Sequence, residues 1–208
     1  MHESVLPQHS LKLLDQLEAL SDDALAGWTL AGGTGLAFRF GHRSSEDLDF
    51  FRTDEFDARR LHVSLAQLGS YETLQEEPHT LTVLTAKTKL SFFCVRDPFI
   101  FPGTPHRFFR VADVREIALM KLAAISGRGS RKDFIDLYFI LQQPPFLSEY
   151  FEWLPKKYPP ERLNAYHILK SLTYFEDAER EPMPEMRMPL RWDNCKNFFV
   201  REARSLVL

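Results

Sequence analysis

The sequence predicts an α/β (α+β) chain, with a mixed-sheet core over residues 1–110 and a C-terminal helical bundle over residues 111–208. Three observations predict it. Before residue 110, short strand-like stretches are interleaved with helical ones, the pattern of a sheet covered by helices. Beyond it the three-to-four periodicity of helices takes over. Between the first strand and the next helix stands a Gly32-Gly33 turn.

The elements follow in order. Leu11, Leu14 and Leu17 share one helical face, which predicts a helix over Ser10 to Leu20. Trp28 to Ala31 reads as a buried strand ending at Gly32-Gly33. Thr34 is placed to cap a short helix that Gly41 stops after Phe40. Leu48 to Phe51 reads as a second strand, and Asp57 to Leu68 as a helix with Leu61, Leu65 and Leu68 on one stripe. Three strands follow at Tyr71 to Gln75, Leu81 to Ala86 and Lys89 to Val95. Asp97 to Phe109, rich in Pro and Phe, reads as a connecting loop. Asp113 with Glu116 resembles a capping box and starts a helix to Ser126; Ser130 with Asp133 repeats the signal for a second helix ending before Pro144-Pro145. Leu147 to Leu154, Glu161 to Thr173 and Asp193 to Leu206 complete the helical part.

Composition narrows the function classes. Hydrophobic residues make up 44% and charged residues 26%, ordinary globular usage. No apolar run approaches the roughly 20 residues needed to span a bilayer. Met1-His2-Glu3-Ser4 has neither a basic nor an apolar leader region, and Cys94 and Cys195 are too few for a disulfide framework, so a cytoplasmic chain without membrane contact is expected. The net charge of -3 gives no global attraction to nucleic acid, so any RNA contact requires a local basic patch.

The chemical signal lies in Leu30-Ala31-Gly32-Gly33-Thr34 and, after a spacer, Asp47-Leu48-Asp49-Phe50-Phe51. Glycine lets backbone approach a phosphate closely, and the helix start beyond it offers unpaired N–H groups. Residues two apart on a strand share a face, which sets Asp47 and Asp49 on one side, about 6–7 Å apart along the chain, with Leu48 and Phe50 in the core. Two carboxylates on one face are hard oxygen ligands for Mg²⁺ (or Mn²⁺), which shares its shell with substrate phosphates. Either half alone is commonly a plain turn or an exposed strand edge; the combination in this order points to nucleoside triphosphate (NTP) binding. His42-Arg43-Ser44-Ser45 precedes the pair, and Arg43 is either a surface partner of the aspartates or, like Ser45, a triphosphate contact.

A second motif follows in the helical part. Ile117, Lys121 and Ile125 are spaced four apart, which puts Lys121 in an apolar stripe, either snorkelling to water or reaching into a cleft near Asp47 or Asp136 to bind phosphate. In Arg128-Gly129-Ser130-Arg131-Lys132-Asp133-Phe134-Ile135-Asp136, Asp133 reads as a helix cap, while Asp136 is placed to hold Lys132 or Lys121. Arg128, Arg131 and Lys132, with Lys121, form the local basic wall on which RNA phosphates would lie.

At these residues the chain resembles the AbiEii/AbiGii toxin family within the DNA polymerase β-like nucleotidyltransferase superfamily. The resemblance rests on Gly32-Gly33-Thr34, on His42 through Phe51, on Lys121-Leu122-Ala123-Ala124-Ile125 and Lys132 through Tyr138, and on Trp192-Asp193 to Phe198-Phe199. It implies a nucleotidyltransferase-like core and metal-dependent transfer of a nucleotide from NTP. It also implies a toxin role in a toxin–antitoxin or phage-defence pair with a cognate antitoxin; some relatives act on the 3′ end of tRNA. Carried over to this chain, Gly33 faces the triphosphate, Asp47 and Asp49 hold metal, Lys121 or Lys132 contacts NTP, and Asp136 is a further acidic group; Gly32 and Thr34, beside Gly33, are nucleotide-binding candidates with it. Two positions depart from the superfamily pattern: Ser91 stands where a third core carboxylate is expected, and Gly33 where many members have serine. The alternative is a catalytically weak NTP-binding module that acts through its antitoxin.

Overall fold

A computed structural model describes residues 1–206. The chain divides into two compact units, Met1–Asp113 and a second from Val114 onward. The first contains seven strands: β1 (Thr29–Leu30), β2 (Leu48–Arg52), β3 (Glu72–Glu77), β4 (Thr80–Thr85), β5 (Thr88–Cys94), β6 (Thr104–His106) and β7 (Phe109–Val111). They form one mixed sheet in the order β3-β4-β5-β2-β1-β7-β6, so β2 is the middle strand. It pairs in parallel with β5 and antiparallel with β1, which in turn pairs in parallel with β7.

Alternation along the strands sorts side chains onto two faces. Leu48 and Phe50 of β2 stand in register with Leu90 and Phe92 of β5, and all four are buried in the core. That core also takes Leu13, Leu14 and Leu17 of helix α1 (Gln8–Leu20), Ala37 and Phe38 of α2 (Gly32–Phe40), and Leu61 and Leu65 of α3 (Ala58–Ala66). Trp28 is fully buried, edge-on to Phe92 at 4.9 Å, and its indole N–H donates to the Ala24 carbonyl at 2.9 Å. The predicted strands and helices of this unit are present with ends moved by a few residues, as is usual for fraying termini. Asp57 lies outside α3 and caps it, accepting from the Arg59 N–H at 2.9 Å.

The loop expected over Asp97 to Phe109 is a correction. It holds β6, and β7 begins at its last residue, so the sheet gains two strands on the far side of β1. Three-residue strands are too short to show alternation, and β7 is stabilised by its pairing with β1 rather than by local pattern.

The second unit is helical among the described residues: α4 (Val114–Gly127), α5 (Arg131–Ile140), α6 (Leu147–Lys157), α7 (Ala165–Ser171), α8 (Glu176–Arg180) and α9 (Trp192–Ser205). The helix expected over Glu161 to Thr173 is shorter, and α8 was not anticipated. Phe134 of α5 packs edge-on to Phe199 of α9 at 5.4 Å, with Phe175 and Trp192 beside it. Glu116, near the start of α4, is fully buried and paired with Lys157 of α6. No described helix is long and apolar enough to cross a membrane.

Phe50 stacks on Phe92 at 5.7 Å and meets Phe109 edge-on at 5.2 Å, so it joins three strands of the sheet. Phe50→Ala is expected to lower unfolding stability by about 3–5 kcal/mol, read as a lower urea midpoint with little change in slope.

Candidate active site

The first cluster is built by the β1–α2 turn and the start of β2. Gly32 has φ of +62°, a left-handed conformation that a Cβ penalises. A Cβ at that position would lie 3.5 Å from Asp49 Oδ2, so the glycine also brings bare backbone to the carboxylate. Ala31 stands at the N-cap with no side chain able to cap, and the first intrahelical bond runs from the Gly35 N–H to the Ala31 carbonyl. The first-turn amides of Gly32, Gly33 and Thr34 therefore have no side-chain cap from that position.

Thr34 is not the cap that the sequence predicts; it lies inside α2 and is buried. Its hydroxyl donates to the Asp47 carbonyl. With that proton committed, the Ser45 hydroxyl is the donor to Thr34 Oγ1, at 2.7 Å. The Ser45 N–H is tied to the Val5 carbonyl at 3.1 Å. These bonds fix the segment that delivers Asp47. Arg43 is 3% exposed and donates to the Ser44 carbonyl at 3.0 Å, so it orders the same segment from inside rather than lying on the surface.

Asp47 is exposed just ahead of β2, and Asp49 is half-buried as its second residue. The Asp49 carbonyl accepts from the Ala31 N–H at 3.1 Å, which links the carboxylate strand to the glycine turn through backbone. On the other side of β2, Asp49 is the register partner of Ser91 in β5, and Ser91 is the partner of Thr82 in β4. Asp49, Ser91 and Thr82 thus lie on the sheet face opposite Leu48 and Phe50.

The second cluster lies within the helical unit. Lys121 does not snorkel: it is 5% exposed, and its ammonium donates to Asp133 at 2.8 Å and pairs with Asp136 at 2.6 Å. Asp133 also accepts two bonds from the Arg128 guanidinium, at 2.8 and 3.0 Å. Burial by itself would lower the Lys121 pKa, but Asp136 and Asp133 outweigh it and hold the ammonium above its ordinary value. For Asp133, burial pushes upward, and Lys121 with Arg128 reverses it, leaving the carboxyl below its ordinary value.

Two expectations are corrected here. Asp133 is not a helix cap. The α5 N-terminus is held by Glu181, whose carboxylate accepts from the Ser130 hydroxyl at 2.8 Å and the Arg131 N–H at 2.9 Å. The basic wall is largely committed to structure as well. Arg131 donates to the Ala178 and Glu179 carbonyls at the end of α8 and stacks over Trp192, and Arg128 is bound to Asp133, whereas Lys132 is exposed. Asp136 holds Lys121, one of the two lysines expected for it. A partner some fifty residues away, such as Glu181, leaves no periodic trace near Ser130. Among the described residues, no group of three or more His, Cys, Asp or Glu side chains is placed to hold a metal ion.

The mixed sheet and its helices place the chain in the nucleotidyltransferase fold class. MenT4, a nucleotidyltransferase toxin from Mycobacterium tuberculosis H37Rv, has a similar fold, with a TM-score of 0.63 at 14% identity over 96% of this chain and 84% of its own. JHP933 from Helicobacter pylori gives a TM-score of 0.52 at 15% identity, covering 96% of this chain and 92% of its own. The chain belongs to the nucleotidyl transferase AbiEii toxin family, a type IV toxin–antitoxin family whose model matches residues 16–205. An uncharacterised protein of Aquifex aeolicus is 35% identical over 202 residues, 93% of this chain and 96% of its own.

The buried ion cluster gives a test of the helical unit. Asp133, with its lowered pKa, contributes stability that is present above the ordinary carboxylate value and is lost as pH falls through the lowered one. Lys121→Met leaves two buried carboxylates without their shared cation and is expected to cost about 3–5 kcal/mol at neutral pH. With Lys121 gone, burial pushes the Asp133 carboxyl upward against Arg128 alone, so protonation relieves the variant, and the stability gap to the unmodified protein should narrow as pH falls from 7 toward 4. Urea unfolding across that range measures it; a gap constant with pH contradicts the assignment.

Proposed function

We propose that this chain is a divalent-cation-dependent nucleotidyltransferase toxin that moves a nucleotide from NTP to an RNA acceptor, such as the 3′ end of tRNA. The observation that carries the reading is Asp47 and Asp49 at the start of the middle strand, with the side-chain-free Gly32 against the Asp49 carboxylate.

The residues present fit Mg²⁺ or Mn²⁺. Asp47 and Asp49 offer hard oxygen donors, and a donor set of two carboxylates suits a cation that completes its shell with phosphate oxygens and water. Bound there, the cation supplies neutralisation of the triphosphate and polarisation of the reacting phosphoryl group. The protein's own part is positioning. Gly32 and Gly33 admit phosphate close to the backbone, where the first amides of α2 and its dipole favour an anion. Thr34 acts on the nucleotide indirectly, by holding the Asp47 carbonyl, and Ser45 by bonding Thr34. Arg43 keeps the preceding loop in place. In the helical unit, Lys121 is a cation fixed in position by Asp136 and Asp133, and Lys132 is an exposed cation. The RNA acceptor is supported by the family resemblance, as is control by an antitoxin.

A second reading is favoured by Ser91, which puts a hydroxyl beside Asp49 where the superfamily pattern has a third carboxylate. On that reading the chain binds NTP with weak turnover and acts through its antitoxin.

Incubation with Mg²⁺, each labelled NTP and total bacterial RNA separates the readings. Labelled RNA is expected, and Asp47→Asn should reduce it at least a thousandfold while the melting temperature without ligand stays within a few degrees. Label found only in protein overturns the RNA acceptor. Binding of NTP without any labelled product supports the second reading, and growth arrest that survives Asp47→Asn removes catalysis as the source of toxicity.

A further inference from the structure

Ser91 is fully buried, and no group among the described residues donates to its Oγ or accepts from it. A buried hydroxyl left without a partner costs stability, which a ligand-bound state can recover. Its location says which ligand. The register places Ser91 beside Asp49 on the neighbouring parallel strand and on the same face. Asp49 Oδ2 reaches toward Gly32, on the β1 side of β2, whereas Ser91 stands on the β5 side. The hydroxyl therefore flanks the carboxylate from the side opposite the glycine turn.

We propose that Ser91 is a positioning residue for the cation held by Asp47 and Asp49, its Oγ accepting a hydrogen bond from a water of the cation's inner shell. This rests on the nucleotidyltransferase reading above. The chemistry follows from the residue type. A neutral hydroxyl is a poor direct ligand for Mg²⁺, which dehydrates reluctantly and keeps several waters. Those waters are strong donors, and a serine oxygen is a good acceptor for one of them. Where a carboxylate at this position would enter the inner shell, serine leaves a water there and orders it. Groups that act in this outer position commonly change metal affinity by about 10–100-fold.

Ser91→Ala separates this role from simple packing, because it removes only the hydroxyl. Without ligand, the variant should melt at the same temperature as the unmodified protein or higher, since an unpartnered polar group has been deleted. Its affinity for Mn²⁺, titrated with a non-hydrolysable analogue of each NTP in turn, should fall about tenfold or more. Unchanged Mn²⁺ affinity in Ser91→Ala, with strong loss in Asp47→Asn, overturns the role of Ser91 and leaves the nucleotidyltransferase reading standing. An unmodified protein that binds no Mn²⁺ with any analogue, or an Asp47→Asn variant that binds it equally well, overturns both. A lower melting temperature in Ser91→Ala with unchanged Mn²⁺ affinity assigns the hydroxyl to the fold alone and also overturns the proposal.

Discussion

The α/β unit depends on the pairing of β2 on both of its edges. A middle strand has no freedom to slip, because a shift of one residue would exchange its two faces. Here that exchange would turn Leu48 and Phe50 out of the core and drive Asp49 into it. The apolar demand of one face therefore fixes the carboxylate on the other. Pairing with β1 brings the glycine turn to Asp49, and pairing with β5 brings Ser91. The candidate site is a by-product of a register set by hydrophobic burial.

The loop ahead of β2 solves a different problem. Asp47 lies outside the ladder and has no strand neighbour to hold it. Its carbonyl is held by the Thr34 hydroxyl, which Ser45 in turn bonds, with Arg43 bonded within the same loop. Thr34, next to the glycine turn, is thus tied to Ser45 and Asp47, 11 and 13 positions further along the chain.

The helical unit is organised around buried charge. Lys121, Asp133, Asp136 and Arg128 sum to zero, and each buried member has a partner of opposite sign. Taking these groups out of water is costly, and their attraction repays it only while all are present and correctly placed. Such a cluster contributes less to net stability than its distances suggest. It does tie α4 and α5 together in one arrangement, as Glu116 and Lys157 tie α4 to α6.

Local sequence was sufficient for the parts with local causes. Periodicity revealed α1 and α3, strand-like stretches marked the segments carrying Leu48 and Leu90, and residue spacing singled out the Gly32 turn, the Asp47–Asp49 pair and Lys121 among apolar neighbours. Those features are legible because each follows from residues within a turn or two of one another. What only the tertiary structure decided has long-range causes. β7 is a strand because β1 offers it an edge, and β6 because β7 does; Glu181, not a neighbour, holds the start of α5; Arg131 is bound to α8; Asp133 is an ion-pair partner rather than a cap. Ser91 shows the division most clearly: its residue type is plain in the chain, but its place beside Asp49 comes from strand register, which balances burial over the whole sheet and is written in no single segment.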